Sequence, residues 1–371
     1  MVSVVSVVKK HMKKHFICDT HADTLMRMID LGYGLDDERL QVSVPKMKRG
    51  HDLQVFACFI DPAVGKERYV IRTLQMIDLL SREVHKYRKE IALCDSTSGI
   101  KRARAAKRKI ALLGLEGGHA IANDLSVLRS YRSLGITYMT LTWSNTNDWA
   151  DSSTDEERWG GLTNFGQEVV HEMNQIGMMV DISHVSDKTF WHVLRISRKP
   201  PIASHSSVRS LCKHPRNMSD EMIKALADKG GVVFINFYPV FIKQGFLEAD
   251  QKLRKRLQRR LQTATDRWRY KAEMYTYEEE KILQELGPNS LPEVTLQDIV
   301  RHVEHVVKIA GVEAVGFGSD FDGIPFAPKD LADCTSLPRL CEALQKRRFK
   351  PAEIDKIAGG NFLRVFAEVV G

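Results

Sequence analysis

Eight short apolar, β-rich runs, separated by segments long enough for helices, constrain this chain's fold more than any other feature of its sequence. They are 16–20 (FICDT), 54–60 (QVFACFI), 110–115 (IALLGL), 136–142 (ITYMTLT), 178–183 (MMVDIS), 201–204 (PIAS), 231–237 (GVVFINF) and 314–319 (AVGFGS). Strands alternating with helices imply parallel βαβ units, and eight such units imply an α/β fold closed as a (β/α)8 TIM barrel. Runs that are apolar throughout, instead of alternating, suit strands buried on both faces.

The intervening segments carry helix signals. Arg68 to Arg88 repeats apolar residues at helical spacing, and Leu125 to Leu134 follows Asp124, a good N-cap. Asn164 to Ile176 follows Thr163 and stops at Gly177. Ser219 to Asp228 has an acidic start and a Gly230-Gly231 stop. The connection 238–295 is too long for a loop, and its charged helical pattern, Leu247 to Leu286, ends at Gly287-Pro288. It reads as a helical excursion over the barrel mouth, before the last strand. With no linker and no internal repeat, residues 1–371 are expected to form a single barrel domain.

Hydrophobic residues at 43% and charged residues at 27% exclude disordered and collagen-like classes. No run of eighteen apolar residues exists, so no membrane span is expected. Met1 to Phe16 places its apolar stretch before its lysines, opposite to a secretory signal, and the C-terminus has no long apolar tail. A cytoplasmic location is therefore expected. Six cysteines without a CxxC pair exclude a structural zinc ribbon and read as reduced core residues. The formal charge of +8 is concentrated in Lys101 to Lys109 and in 252–271. Nucleic-acid binding is conceivable there, but solvated charged helix faces are the expected reading.

Barrel enzymes place their chemistry at the C-terminal ends of the strands. Those ends here read His21-Ala22-Asp23, Glu116-Gly117-Gly118-His119, Thr142-Trp143-Ser144, His184, His205 and Asp320-Phe321-Asp322. His21 and Asp23, two apart in an extended strand end, would point to the same side. Glu116 is costly to bury without a cation and suits a carboxylate shared by two metals. His184 and His205, at consecutive strand ends, offer neutral imidazole donors. Asp320 is placed to shuttle a proton, with Asp322 in support, and His119 is expected to hydrogen-bond near the ligands without being one. Nitrogen and carboxylate oxygen without thiolate suits zinc best, then manganese, iron or cobalt.

Together the motifs DTHADT (19–24), GLEGGHAI (114–121), TLTWSNTNDWADS (140–152), VDISHVS (180–186), ASHSSVRSLCKHPRNMSDE (203–221), INFY (235–238), GFGSDFDG (316–323) and GGNFLRVF (359–366) resemble the membrane dipeptidases, also called renal dipeptidases. These are binuclear zinc metallopeptidases on a TIM barrel, and the likeness spans nearly the whole chain. It implies two zinc ions per chain, one on His21 and Asp23, the other on His184 and His205, bridged by Glu116. It further implies that a hydroxide between the ions attacks the amide of a small dipeptide. Asp320 would handle the proton and meet the substrate amine, while Arg216 would bind the substrate carboxylate, a task suited to a planar bidentate donor. Tyr238 is a further pocket candidate, and a homodimer is implied. In one respect the chain departs from the animal members. Where they carry a substrate-contacting histidine this chain has Trp143, a single non-titrating donor, with Asn145 and Asn147 following as possible hydrogen-bond donors. Two other readings stay open: a related metal-dependent amidohydrolase acting on another amide, lactam or ester, and a non-catalytic nucleic-acid-associated protein.

Overall fold

The computed structural model describes residues 15–268, 272–286 and 290–371; nearly all of the Met1 to Phe16 stretch, part of the 252–271 run and the Gly287-Pro288 stop lie outside them. Among the described residues nine strands form one sheet. They are β1 (Cys18–Ala22), β2 (Leu53–Phe59), β3 (Ile91–Leu93), β4 (Lys109–Glu116), β5 (Ile136–Thr140), β6 (Met179–Asp181), β7 (Ile202–Ser206), β8 (Val232–Ile235) and β9 (Val315–Phe317). Eight of them pair in parallel in the order β1-β2-β4-β5-β6-β7-β8-β9. β9 returns toward β1 through the Ala22–Phe321 bridge and the Asp320 N–H bond to the His21 carbonyl, 3.1 Å. The result is a nearly closed (β/α)8 barrel, and each expected run overlaps one of its strands.

β3 was not anticipated. At three residues it lacks a run long enough to stand out, and it pairs only with β4, outside the barrel path. Inside, successive residues of each strand divide between two apolar layers, as strand alternation requires. Leu53, Val55, Ile110 and Leu112 join Tyr138, Met179, Phe234 and the C-terminal helix Asn361–Val369. Phe56, Cys58, Ala111 and Leu113 face the surrounding helices instead. All six cysteines are buried and free.

The helix expectations hold in place and in capping. Asp124, Thr163 and Ser219 each accept a bond from the first-turn amides of Ser126, Gly166 and Met222. After a short turn of helix, Pro239–Ile242, the excursion runs as two long helices, Gln244–Arg267 and Ala272–Leu286, sharing a small core of Leu253, Leu257, Ala264, Ile282 and Leu283. It is tied to the barrel mouth by Arg27–Glu280, 2.7 Å, and by Tyr277 Oη donating to Asp30, 3.3 Å. Lys101, Arg102, Arg104 and Lys107 are exposed, as are Lys252, Lys255, Arg256 and Arg259, the solvated faces expected of them. No helix among the described residues is long and apolar enough to cross a membrane.

One buried histidine ties the fold to the site. His302, on the helix Leu296–Ala310, accepts from the Val208 amide at Nδ1 and donates from Nε2 to the Ile242 carbonyl. Val208 begins the loop that carries Arg216. Burial holds the His302 imidazole down at about 4, below the usual 6.5. An unfolded chain therefore binds its proton first as pH falls. The associated stability is present above pH 6.5 and is lost on the way to pH 4, on the order of 3 kcal/mol in all. Thermal unfolding between pH 7 and pH 4 should show a steeper loss for the native chain than for His302→Gln. Identical slopes would contradict this assignment.

Candidate active site

The site assembles at the C-terminal mouth of the barrel, where β1, β4, β6, β7 and β9 end. Glu116, the last residue of β4, is 3% exposed, and its two oxygens face different partners. Oε1 lies 2.9 Å from His184 Nε2 and 3.4 Å from His205 Nε2, while Oε2 lies 3.2 Å from His21 Nε2. His21 Nε2 is also 3.7 Å from Asp23 Oδ2. The groups His21–Glu116–His205 and His21–Asp23–Asp320 each gather three ligand-type atoms within 4.8 Å of one another. Residues from five strand ends, up to 299 positions apart in sequence, thus converge on one point.

Asp23 reaches the cluster by a route different from the one expected. It is not extended (φ −90°, ψ 26°) but sits as the N-cap of the helix Thr24–Leu31, just past an irregularity in the β1–β2 pairing. The turn, not strand periodicity, brings its carboxylate beside His21. His184 and Asp320 both adopt left-handed backbone, φ 68° and 66°, a conformation sparsely populated for residues other than glycine.

The imidazoles are oriented by partners that the sequence reading did not assign. Tyr138 Oη donates to the Thr20 carbonyl, so its oxygen accepts from His21 Nδ1 at 2.8 Å and leaves Nε2 free to coordinate. A side chain at Gly114 would collide with the Tyr138 ring, its Cβ 2.4 Å from Cζ, so only glycine there lets the tyrosine reach His21. Ser204 Oγ likewise donates to Asp181 Oδ2 at 2.6 Å and accepts from His205 Nδ1 at 2.8 Å, again freeing Nε2. Burial, then Arg216, holds His184 down at about 4; burial, then His21, holds His205 well below its usual range. Neutral imidazoles are what a metal requires. His21 is held high despite burial by Tyr138 and then Glu116, while the surrounding histidines hold Glu116 well below the carboxylate range against its burial. His21 Nε2 and Asp23 Oδ1 are buried with no hydrogen-bond partner. Buried polar atoms without partners, among ligand-type groups gathered this closely, fit metal ions as their missing partners.

Asp320 Oδ2 accepts from Asn236 Nδ2 at 2.8 Å, and burial, then the Asp23 charge, pushes its carboxyl up to about 8. A cation beside it would act in the opposite direction. Asp322 is committed to the fold, accepting from Thr24 Oγ1 at 2.6 Å and from the Gln41 amide at 2.8 Å. Arg216, 5% exposed, donates to the His205 carbonyl and to Ser206 Oγ, which leaves its Nε without a partner. Burial lowers its guanidinium to about 10.

The remaining candidates separate. Trp143 stacks at a tilt on Phe59, ring centres 4.9 Å apart, and Tyr238 Oη accepts from Arg254 at 3.2 Å; both line a cavity of about 460 Å³. His119 hydrogen-bonds the Ile60 carbonyl at 2.8 Å and none of the ligand candidates. Asn147 bonds the Leu141 carbonyl and the Trp149 and Ala150 amides of its own loop; Asn145 Oδ1 is buried and unpartnered. A larger, more open cleft of about 790 Å³ lies beside Asp187, Arg209 and Lys213, but no ligand candidate lines it.

The profile of the membrane dipeptidase family (peptidase family M19) matches residues 6–370. An uncharacterized dipeptidase of Schizosaccharomyces pombe is 34% identical over 338 residues, 86% of this chain and 70% of that protein. Among solved structures, the probable dipeptidase PvdM from Pseudomonas aeruginosa superposes with a TM-score of 0.82 at 23% identity, covering 96% of both chains. A metallopeptidase from Rhodobacter sphaeroides, solved with a phosphinate mimic of the dipeptide L-Ala-D-Ala, gives 0.77 at 21% identity, covering 96% of this chain and all of that one.

Proposed function

The chain belongs to the membrane dipeptidase family and is a metal-dependent dipeptidase, and from that premise we propose that it hydrolyses small dipeptides at two zinc ions bridged by Glu116. The observation that carries the proposal is the division of Glu116, one oxygen toward His184 and His205, the other toward His21. His21 with Asp23 would hold one ion and His184 with His205 the other. Two ions held there would supply Lewis acidity toward the amide carbonyl and a water acidic enough to attack near neutral pH.

The chain's own residues do the rest. Hydrolysis consumes one water: its oxygen bonds to the carbonyl carbon, the C–N bond breaks and the leaving nitrogen gains a proton. Asp320, held by Asn236, is the proton carrier and the partner of the free amine. Arg216 meets the far carboxylate with its unspent Nε. Two such anchors suit a substrate of two residues, so longer peptides lose rate through misplacement of the scissile bond. The dipeptide mimic bound by the Rhodobacter relative agrees with that size. Trp143 and Tyr238 line the space beside the anchors.

A panel of di- and tetrapeptides assayed with zinc and with a chelator tests this reading. Dipeptides should be cut, tetrapeptides cut poorly, and chelation should abolish both activities. Efficient tetrapeptide cleavage would remove the two-anchor account, and full activity in chelator would remove the metal.

A further inference from the structure

The cavity of about 460 Å³ stands beside the reacting groups, and the proposed chemistry does not use its outer wall. Its floor touches the site. Gly323 lines it, and a Cβ there would fall 2.0 Å from Asp23 Oδ2 and 2.8 Å from Asp320 Oδ1. Trp143 and Tyr238 line it from the barrel loops, Trp268 from the end of the first excursion helix and Tyr275 from the second.

The charges in the wall are largely consumed by one another. Arg254 is bound by Asp250 at 2.7 Å and Glu279 at 2.6 Å and reaches Tyr238 Oη at 3.2 Å. Arg27 is bound by Glu280 at 2.7 Å and by the Asp322 carbonyl at 2.6 Å. Asp61 accepts from the Ala63 amide, capping its own turn. A guest with a charged side chain would have to break one of these pairs, whereas an apolar guest meets four aromatic side chains. The size falls within the range of small-ligand pockets and accommodates a phenyl or indole group.

We infer that this cavity receives the side chain of the substrate's amino-terminal residue and selects dipeptides in which that side chain is large and apolar or aromatic. The inference rests on the dipeptidase reading above, in which Asp320, next to the lining residue Gly323, meets the amine. The excursion helices are then a specificity element, with Trp268 and Tyr275 as its contact residues.

The experiment is a kcat/KM comparison of Phe-Ala, Leu-Ala, Ala-Ala, Asp-Ala and Lys-Ala on the zinc-loaded full chain. Phe-Ala should exceed Ala-Ala by about tenfold or more, as burying a large apolar side chain provides, and Asp-Ala and Lys-Ala should fall below Phe-Ala. Trp268→Ala and Tyr275→Ala should each shrink the Phe-Ala to Ala-Ala ratio. Thr265→Trp, which fills the cavity from an exposed wall position with no part in the helical core, should shrink it too. Equal turnover of Phe-Ala and Ala-Ala, or a ratio unmoved by all three variants, overturns the inference and leaves the dipeptidase reading intact. Failure to cut any of the five overturns both.

Discussion

Glu116→Gln should lower kcat by about 10³-fold or more, well beyond the 10–100-fold typical when a neighbour of a metal ligand is lost. The amide keeps the shape of the carboxylate but removes the charge on which His21, His184 and His205 converge. It should also reduce the zinc retained after dialysis from close to two ions per chain. His184→Ala or His205→Ala should deplete one ion preferentially, because both face the same Glu116 oxygen. Elemental analysis of the three variants reads this directly; unchanged metal content in all of them would dissolve the ligand assignment. Circular dichroism guards against a trivial loss of fold.

Asp320→Asn should lower kcat by about 10²–10⁴-fold, the range of a lost general acid–base group, while zinc content changes far less than in Glu116→Gln. The asparagine can still bond Asn236 by turning its amide, so the loop should keep its shape, but it can no longer take up a proton. If Asp320 serves only as an amine anchor, KM will rise and kcat will stay near the native value. That split between kcat and KM decides between proton carriage and binding alone.

Much of this site was legible as strand-end chemistry. His21, Glu116, His184, His205 and Asp320 each follow an apolar run, and parallel barrels deliver such positions to one face. What orients them was harder to read. Asp181 and Ser204 lie inside the motifs VDISH and ASHS, yet nothing in the sequence shows that Ser204 hands the Asp181 hydrogen bond on to His205. Tyr138 reads as one more apolar strand residue; only the β4–β5 register, with Gly114 opposite it, turns its hydroxyl toward His21. The bonds of Asn147 were equally hidden from the sequence. A polar side chain after a strand looks available, but this one closes its own turn.

The sequence by itself determined the barrel, the order of its strands and the residues that end them, because burial on both faces and helix caps are local signals repeated along the chain. Tertiary structure alone decided three things: which Glu116 oxygen faces which histidine, which imidazole nitrogens are left free, and that Trp268 and Tyr275 close a cavity over Gly323. Those are set by side-chain directions and contacts between segments as far as 300 residues apart, as in the Ser319 bonds to Asp19. Hydrophobic periodicity carries no information about such pairings, since it reports which face is buried and not what that face meets.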